Sequence, residues 1–152
     1  MKRILLAVLL SAPLACTGRS DFEALQERGQ VAMGVDQYTS THRFDSLADG
    51  GRIELLRDEN DPRDVATIRA HLKEIRNAFE RGDFSTPGFV HAEEVPGTRV
   101  MAARRGQIRY TYADLPQGGE VRIRTSDPEA LRAVHEFVAY QRKDHRAGGH
   151  NH

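Results

Sequence analysis

The chain has a single cysteine, Cys16, in 152 residues, which rules out an internal disulfide and any site built from several thiolates. It also lacks an excess of charge of either sign: 22 basic residues stand against 22 acidic ones, so there is no electrostatic footprint for a polyanion and nucleic acid is not an expected partner. No nucleophile motif of the G-x-S-x-G type occurs, and with Cys16 assigned to processing no catalytic thiol is left. The paired glycines Gly50-Gly51 and Gly118-Gly119 do not lead from a strand into a helix, so they do not make a phosphate-cradling loop. Neighbouring carboxylates such as Asp58-Glu59 and Glu93-Glu94 sit in polar stretches and read as solvated surface. Together these absences predict a protein that is not an enzyme.

What is present begins with a leader. Met1-Lys2-Arg3 precedes the apolar run Ile4 to Leu10, too short to span a bilayer as a mature helix, and the run closes on Ser11-Ala12-Pro13-Leu14-Ala15-Cys16. Residues 1–15 read as a signal peptide and Cys16 as the lipidation site of an exported, periplasm-facing lipoprotein. Pro13 departs from the usual lipobox, leaving plain signal cleavage nearby as the alternative. Membrane attachment would then come from the lipid, because loss of Lys2 and Arg3 leaves acidic residues two ahead of basic ones. Residues 16–34 read as a tether with at most a short helix over Asp21 to Arg28, residues 35–145 as the domain, and residues 146–152 as a flexible tail.

The domain contains one unit twice. F-D-S-L-A-D-G-G-R-I-E-L from Phe44 is followed by Asp61-Pro62 and a helical stripe through Ile68, Leu72, Ile75 and Phe79. Y-A-D-L-P-Q-G-G-E-V-R-I from Tyr112 is followed by Asp127-Pro128 and a stripe through Leu131, Val134 and Val138. Alternation with a period of two around each glycine pair predicts a hairpin, with the glycines supplying the turn. Aspartate before proline predicts a capped helix start, since proline has no amide hydrogen to leave unsatisfied there. Each unit has one apolar sheet face and one apolar helix stripe, and neither can bury these alone. The expected fold is α+β: two strand-strand-helix repeats forming a four-stranded antiparallel sheet with two helices on one face, strand order open.

Seven histidines and two methionines of the exported part, Met33 and Met101, remain to be explained. Imidazole and thioether together suit copper, since soft sulfur favours Cu(I) and neutral imidazole binds either oxidation state. No helix carries histidines four apart and the domain has no H-x-H, so any site must be assembled from distant segments. The candidate ligands are His42, His71, His91 and Met101. His42 falls where the second copy has Tyr110, His71 where it has Phe137, and His91 and Met101 lie in the long connector and have no counterpart. Met33 lies nine residues before His42. His135 reads as a surface residue, and His145, His150 and His152 as belonging to or bordering the tail. The alternative is a non-enzymatic module of the envelope that binds a protein partner through the wet sheet face or an open strand edge.

The stretches T-H-R-F-D, D-G-G-R-I-E, I-R-A-H-L-K-E-I, F-E-R-G-D-F, V-P-G and D-L-P-Q-G-G-E-V-R-I resemble an uncharacterised family of exported bacterial proteins, over about Val31 to His145. Members often carry a second histidine where this chain has Arg43, which weakens any site relying on that pair. Some relatives are labelled aspartate carbamoyltransferase, and Ser40-Thr41-His42-Arg43 superficially echoes that enzyme's phosphate-binding segment. Here the segment lies in an expected strand of a small exported domain, and the label is rejected. The resemblance implies a shared fold and no activity.

Overall fold

The computed structural model describes residues 20–147. The signal peptide, Cys16 and the last two histidines therefore lie outside the described residues. The chain runs through α1 (Asp21–Met33), β1 (Ser40–Leu47), β2 (Gly50–Arg57), α2 (Pro62–Glu80), α3 (Ser85–His91), α4 (Thr98–Ala103), β3 (Ile108–Leu115), β4 (Gly118–Thr125) and α5 (Pro128–Asp144). Single 3-10 turns at Gln37–Thr39 and Arg105–Gln107 lead into β1 and β3.

The sheet is four-stranded and antiparallel, in the order β1-β2-β4-β3. The two hairpins therefore join through their second strands, and Ile53 pairs with Val121, its own counterpart in the repeat. A local dyad passes through that pair. The hydrogen bonds obey it: the Thr125 amide donates to the Asp49 carbonyl at 3.0 Å, and the Arg57 amide to the Gln117 carbonyl at 2.8 Å. The dyad also explains the glycine pairs, which do not form the turn itself. The turns are Ala48-Asp49 and Pro116-Gln117, and the glycines open β2 and β4. A Cβ on Gly50 (φ +147) would run into the Ile123 carbonyl, and one on Gly118 into that of Leu55, the equivalent residue. Glycine is required at these two places because the central strands approach closely there.

Each long helix starts as its aspartate dictates. The Asp61 carboxylate accepts from the amides of Arg63 and Asp64, and that of Asp127 from Ala130, with proline in the first turn of both. The buried stripes, Val65, Ile68, Leu72, Ile75 and Phe79 on α2 and Ala133, Val134, Phe137, Val138 and Gln141 on α5, close over Phe44, Ile53, Leu55, Tyr110, Val121 and Ile123. The helices are exchanged: α2 lies chiefly over the second hairpin and α5 over the first. Matching anchors hold this arrangement. Arg69 donates to the carbonyls of Gly118 (2.9 Å) and Leu115 (2.7 Å). His135, its counterpart on α5, donates from Nε2 to the Leu47 carbonyl at 2.9 Å. His135 is thus a folding residue rather than a bare surface one. On the other face of the sheet Arg52 pairs with Asp45 at 2.6 Å and with the buried Glu54 at 3.2 Å.

The segment expected as a tether is more structured than its composition implied. Ser20 and Glu23 form a capping box, α1 runs thirteen residues to Gly34 in the left-handed conformation, and Leu25 and Met33 are buried. Arg28 ties α1 to the Val90 carbonyl at 2.7 Å. The long connector holds α3 as well as the helical turns expected near Thr98. No helix among the described residues is long and apolar enough to cross a membrane.

Candidate functional site

His42 stands near the start of β1 on the helix-covered face, its ring 6.2 Å from that of Phe44. Arg142 of α5 donates to the Phe44 carbonyl at 2.7 Å, pinning the last turn of the helix onto this strand. The residue that caps the helix, His145, then lies flat on His42: the ring centroids are 5.2 Å apart and the planes 16° from parallel. His91, ending α3, meets His145 edge-on at 5.1 Å and 88°. His71 comes from the middle of α2 and lines the same cavity as His42 and His145. Four histidines from four elements thus meet at one end of the sandwich.

They are not equivalent. The His91 side chain is fully buried, and both of its nitrogens are engaged: Nδ1 donates to the Asp144 carboxylate at 2.5 Å, and Nε2 faces the Gln141 amide at 2.9 Å. Its ring serves as a fixed wall against His145 and Tyr140. The rings of His42, His71 and His145 have no such partner among the described residues. Burial is the main reason all three stay neutral. It brings His42 down to about 4, helped by neighbouring His71 and opposed by Asp58. It brings His145 down to about 3, helped by His42 and His91, and it lowers His71 against the pull of Glu74. Three uncharged imidazoles with free nitrogens thus line one cavity.

The local dyad gives it meaning. His42 corresponds to Tyr110, His71 to Phe137, and His145 to Phe79, which follows Asp61 by as many residues as His145 follows Asp127. In the second half those three rings pack as ordinary core, Phe79 lying 6.0 Å from Tyr110 and 5.7 Å from Phe137, both edge-on. In the first half all three are histidine. Space is left as well: a cavity of about 90 Å³ lies beneath the histidines, lined also by Met33, Ile53, Leu55 and Leu72.

Of the four residues expected as ligands, His42 and His71 share this cavity. His91 lies beside it with its nitrogens occupied, and Met101 is fully buried on α4 and does not line it. Met33 does line it, as does His145, which by sequence borders the tail. The signal for His145 was present in the spacing: Phe137, Gln141 and His145 are four apart and continue one helix face. As placed, no three His, Cys, Asp or Glu side chains among the described residues form a ready ligand shell, and the stacked rings would have to turn to converge on one ion. No family model, curated protein or solved structure matches the chain.

Proposed function

We propose that this is an exported envelope lipoprotein that binds one copper ion, as Cu(I), through His42, His71 and His145, with the Met33 thioether beside them. The observation that carries the reading is the replacement of an aromatic core triad by three neutral, unengaged imidazoles at dyad-related positions. A histidine ligates through a nitrogen lone pair, and burial keeps these lone pairs free of protons at neutral and mildly acidic pH. The choice of ion follows from charge. Among the described residues no Asp or Glu lines the cavity, so a bound ion would keep its full charge in apolar surroundings. The cost of burying charge rises steeply with its size, which favours a monovalent ion over a divalent one, and a soft ion is the one that gains from thioether.

The competing reading is a module that binds an envelope protein through the wet sheet face or an open strand edge, and β1 and β3 are the two edges of the sheet. The exposed large apolar residues among those described are Val31 on α1, Tyr38 in the turn before β1 and Phe89 on α3. The test is stoichiometric uptake by the mature chain ending at residue 147, which removes the tail histidines. Competition against a Cu(I) chelator is expected to give one equivalent bound, and no uptake by His42→Ala or His145→Ala. Absence of uptake by the otherwise wild-type protein would overturn the proposal.

A further inference from the structure

The cavity under the histidines has a route to solvent. A surface groove between α1, α2 and α3 shares Ala32, His71, Ile75 and Thr86 with it, so His71 stands at the neck between groove and interior. Past the neck the walls are mostly apolar, aliphatic at Ile53, Leu55 and Leu72 and aromatic at Phe44, Phe79 and Phe137, with Gln37 and Gln141 also in the lining. The roof on the α1 side is made of small residues, Gly29 and Ala32. In the dyad-related half the equivalent space is closed by rings, Phe79, Phe84 and Phe137 packing within 4.5 to 6.2 Å of one another, and Phe79 and Phe137 form the wall that this packing shares with the cavity. The open half is therefore a departure from the repeat's own packing, and it coincides with the only three dyad positions where the counterpart of a core aromatic is histidine in this domain.

We infer that this cavity binds a small uncharged amphiphile, a short alkyl chain of about four or five heavy atoms ending in a hydroxyl, with the chain against Leu55 and Leu72 and the hydroxyl at His71. Size sets the chain: about 90 Å³ is below the roughly 150 Å³ that holds a benzene ring and equals a few water volumes. The walls exclude water-loving groups from the bottom. The neck sets the head group, because a neutral imidazole can accept a hydroxyl hydrogen through one nitrogen and donate through the other. A carboxylate or an ammonium drawn inside the neck would leave Arg81 and Glu74 behind in the groove, since among the described residues the cavity lining itself holds neither Lys, Arg, Asp nor Glu. This inference is independent of the copper reading, and the two are separated by working without metal.

The probes are 1-butanol, butanoate and butylammonium, added to the metal-free mature chain and followed by methyl-resolved NMR. Butanol is expected to bind saturably with a dissociation constant of about 1 mM, the range open to so few atoms. Nuclear Overhauser contacts should run from its terminal methyl to the methyls of Leu55 and Leu72, and its binding should shift the His71 ring nitrogens. Both charged probes should bind at least tenfold more weakly. Ala32→Phe, which fills the roof, should abolish butanol binding, and Ala32→Leu serves if the larger ring prevents folding. Butanol that makes no contact with Leu55 or Leu72, binding that persists in a folded roof variant, or tighter binding of either charged probe would each overturn the inference.

Discussion

Replacing the three cavity histidines by their dyad counterparts, His42→Tyr, His71→Phe and His145→Phe together, tests the central physical claim without reference to any ligand. The histidines are neutral in the folded protein because burial depresses them, and they are free to protonate when the chain unfolds. A histidine whose folded value lies below its unfolded value of about 6.5 leaves stability intact above that pH and removes it as pH falls toward the folded value. With His42 at about 4 and His145 at about 3, the unfolded chain takes up two protons that the folded chain refuses. The slope is about 2.7 kcal/mol per pH unit, or about 4 kcal/mol between about pH 6.5 and about pH 4.5. That is a large share of the roughly 5 to 15 kcal/mol by which a domain is stable.

The triple variant removes these groups and keeps the carboxylates, so the difference between the two proteins isolates the histidines. At neutral pH the rings can fill the cavity of about 90 Å³, worth up to about 2 kcal/mol, offset by about 1 to 3 kcal/mol where the fit is too tight. The variant should therefore lie within about 2 kcal/mol of wild type near pH 7.5 and be the more stable protein near pH 4.5. Urea unfolding followed by circular dichroism at both pH values measures this. Equal losses in the two proteins on acidification would mean that the histidines are not held neutral, and the reasoning would fail.

Other consequences are smaller in scope. Gly118→Ala should cost about 3 kcal/mol or more, because its Cβ meets the Leu55 carbonyl of the neighbouring strand and backbone cannot yield cheaply, and chemical denaturation reads this directly. Asp61→Ala should lower stability by about 1 kcal/mol through loss of the cap, whereas Asp127→Ala should cost more, since Asp127 also accepts from Arg104 at 3.0 Å. Asp144→Asn should weaken the hold on His91, destabilising the protein by about 1 to 3 kcal/mol and moving the Nδ1 resonance of that ring in nitrogen NMR. A wild-type-like Nδ1 signal in that variant would show that Asp144 does not fix the ring.

Much of this fold is legible in local pattern. The period of two around each glycine pair, the Asp-Pro starts and the stripes at helical spacing identify two hairpins and two helices, and the need to bury both sets of apolar faces calls for one sheet with the helices on one side. The glycines are legible as important, and local pattern points to turn geometry as the reason. Their actual partners are carbonyls of the strand across the dyad, which no single-chain pattern reveals. The segment from Asp21 to Met33 is poorly legible for a related reason. Its mixed polarity is weak as a stripe, and it is held by a capping box and by a contact to the Val90 carbonyl contributed by a distant helix.

The sequence by itself determined the repeat, the elements and the places where the two copies differ, because propensity, capping and hydrophobic period act over a few residues. It could therefore nominate His42 and His71 as departures from the repeat. Only the tertiary structure decided that the helices exchange hairpins, since that choice depends on long-range packing of whole faces. The exchange carries the end of α5 onto β1, where Arg142 grips the Phe44 carbonyl and sets His145 on His42. The same packing places Met101 in the interior of α4 and gives both nitrogens of His91 to Asp144 and Gln141. Residue types and spacing could propose donors, but which nitrogens stay free is a property of neighbours brought together from across the chain.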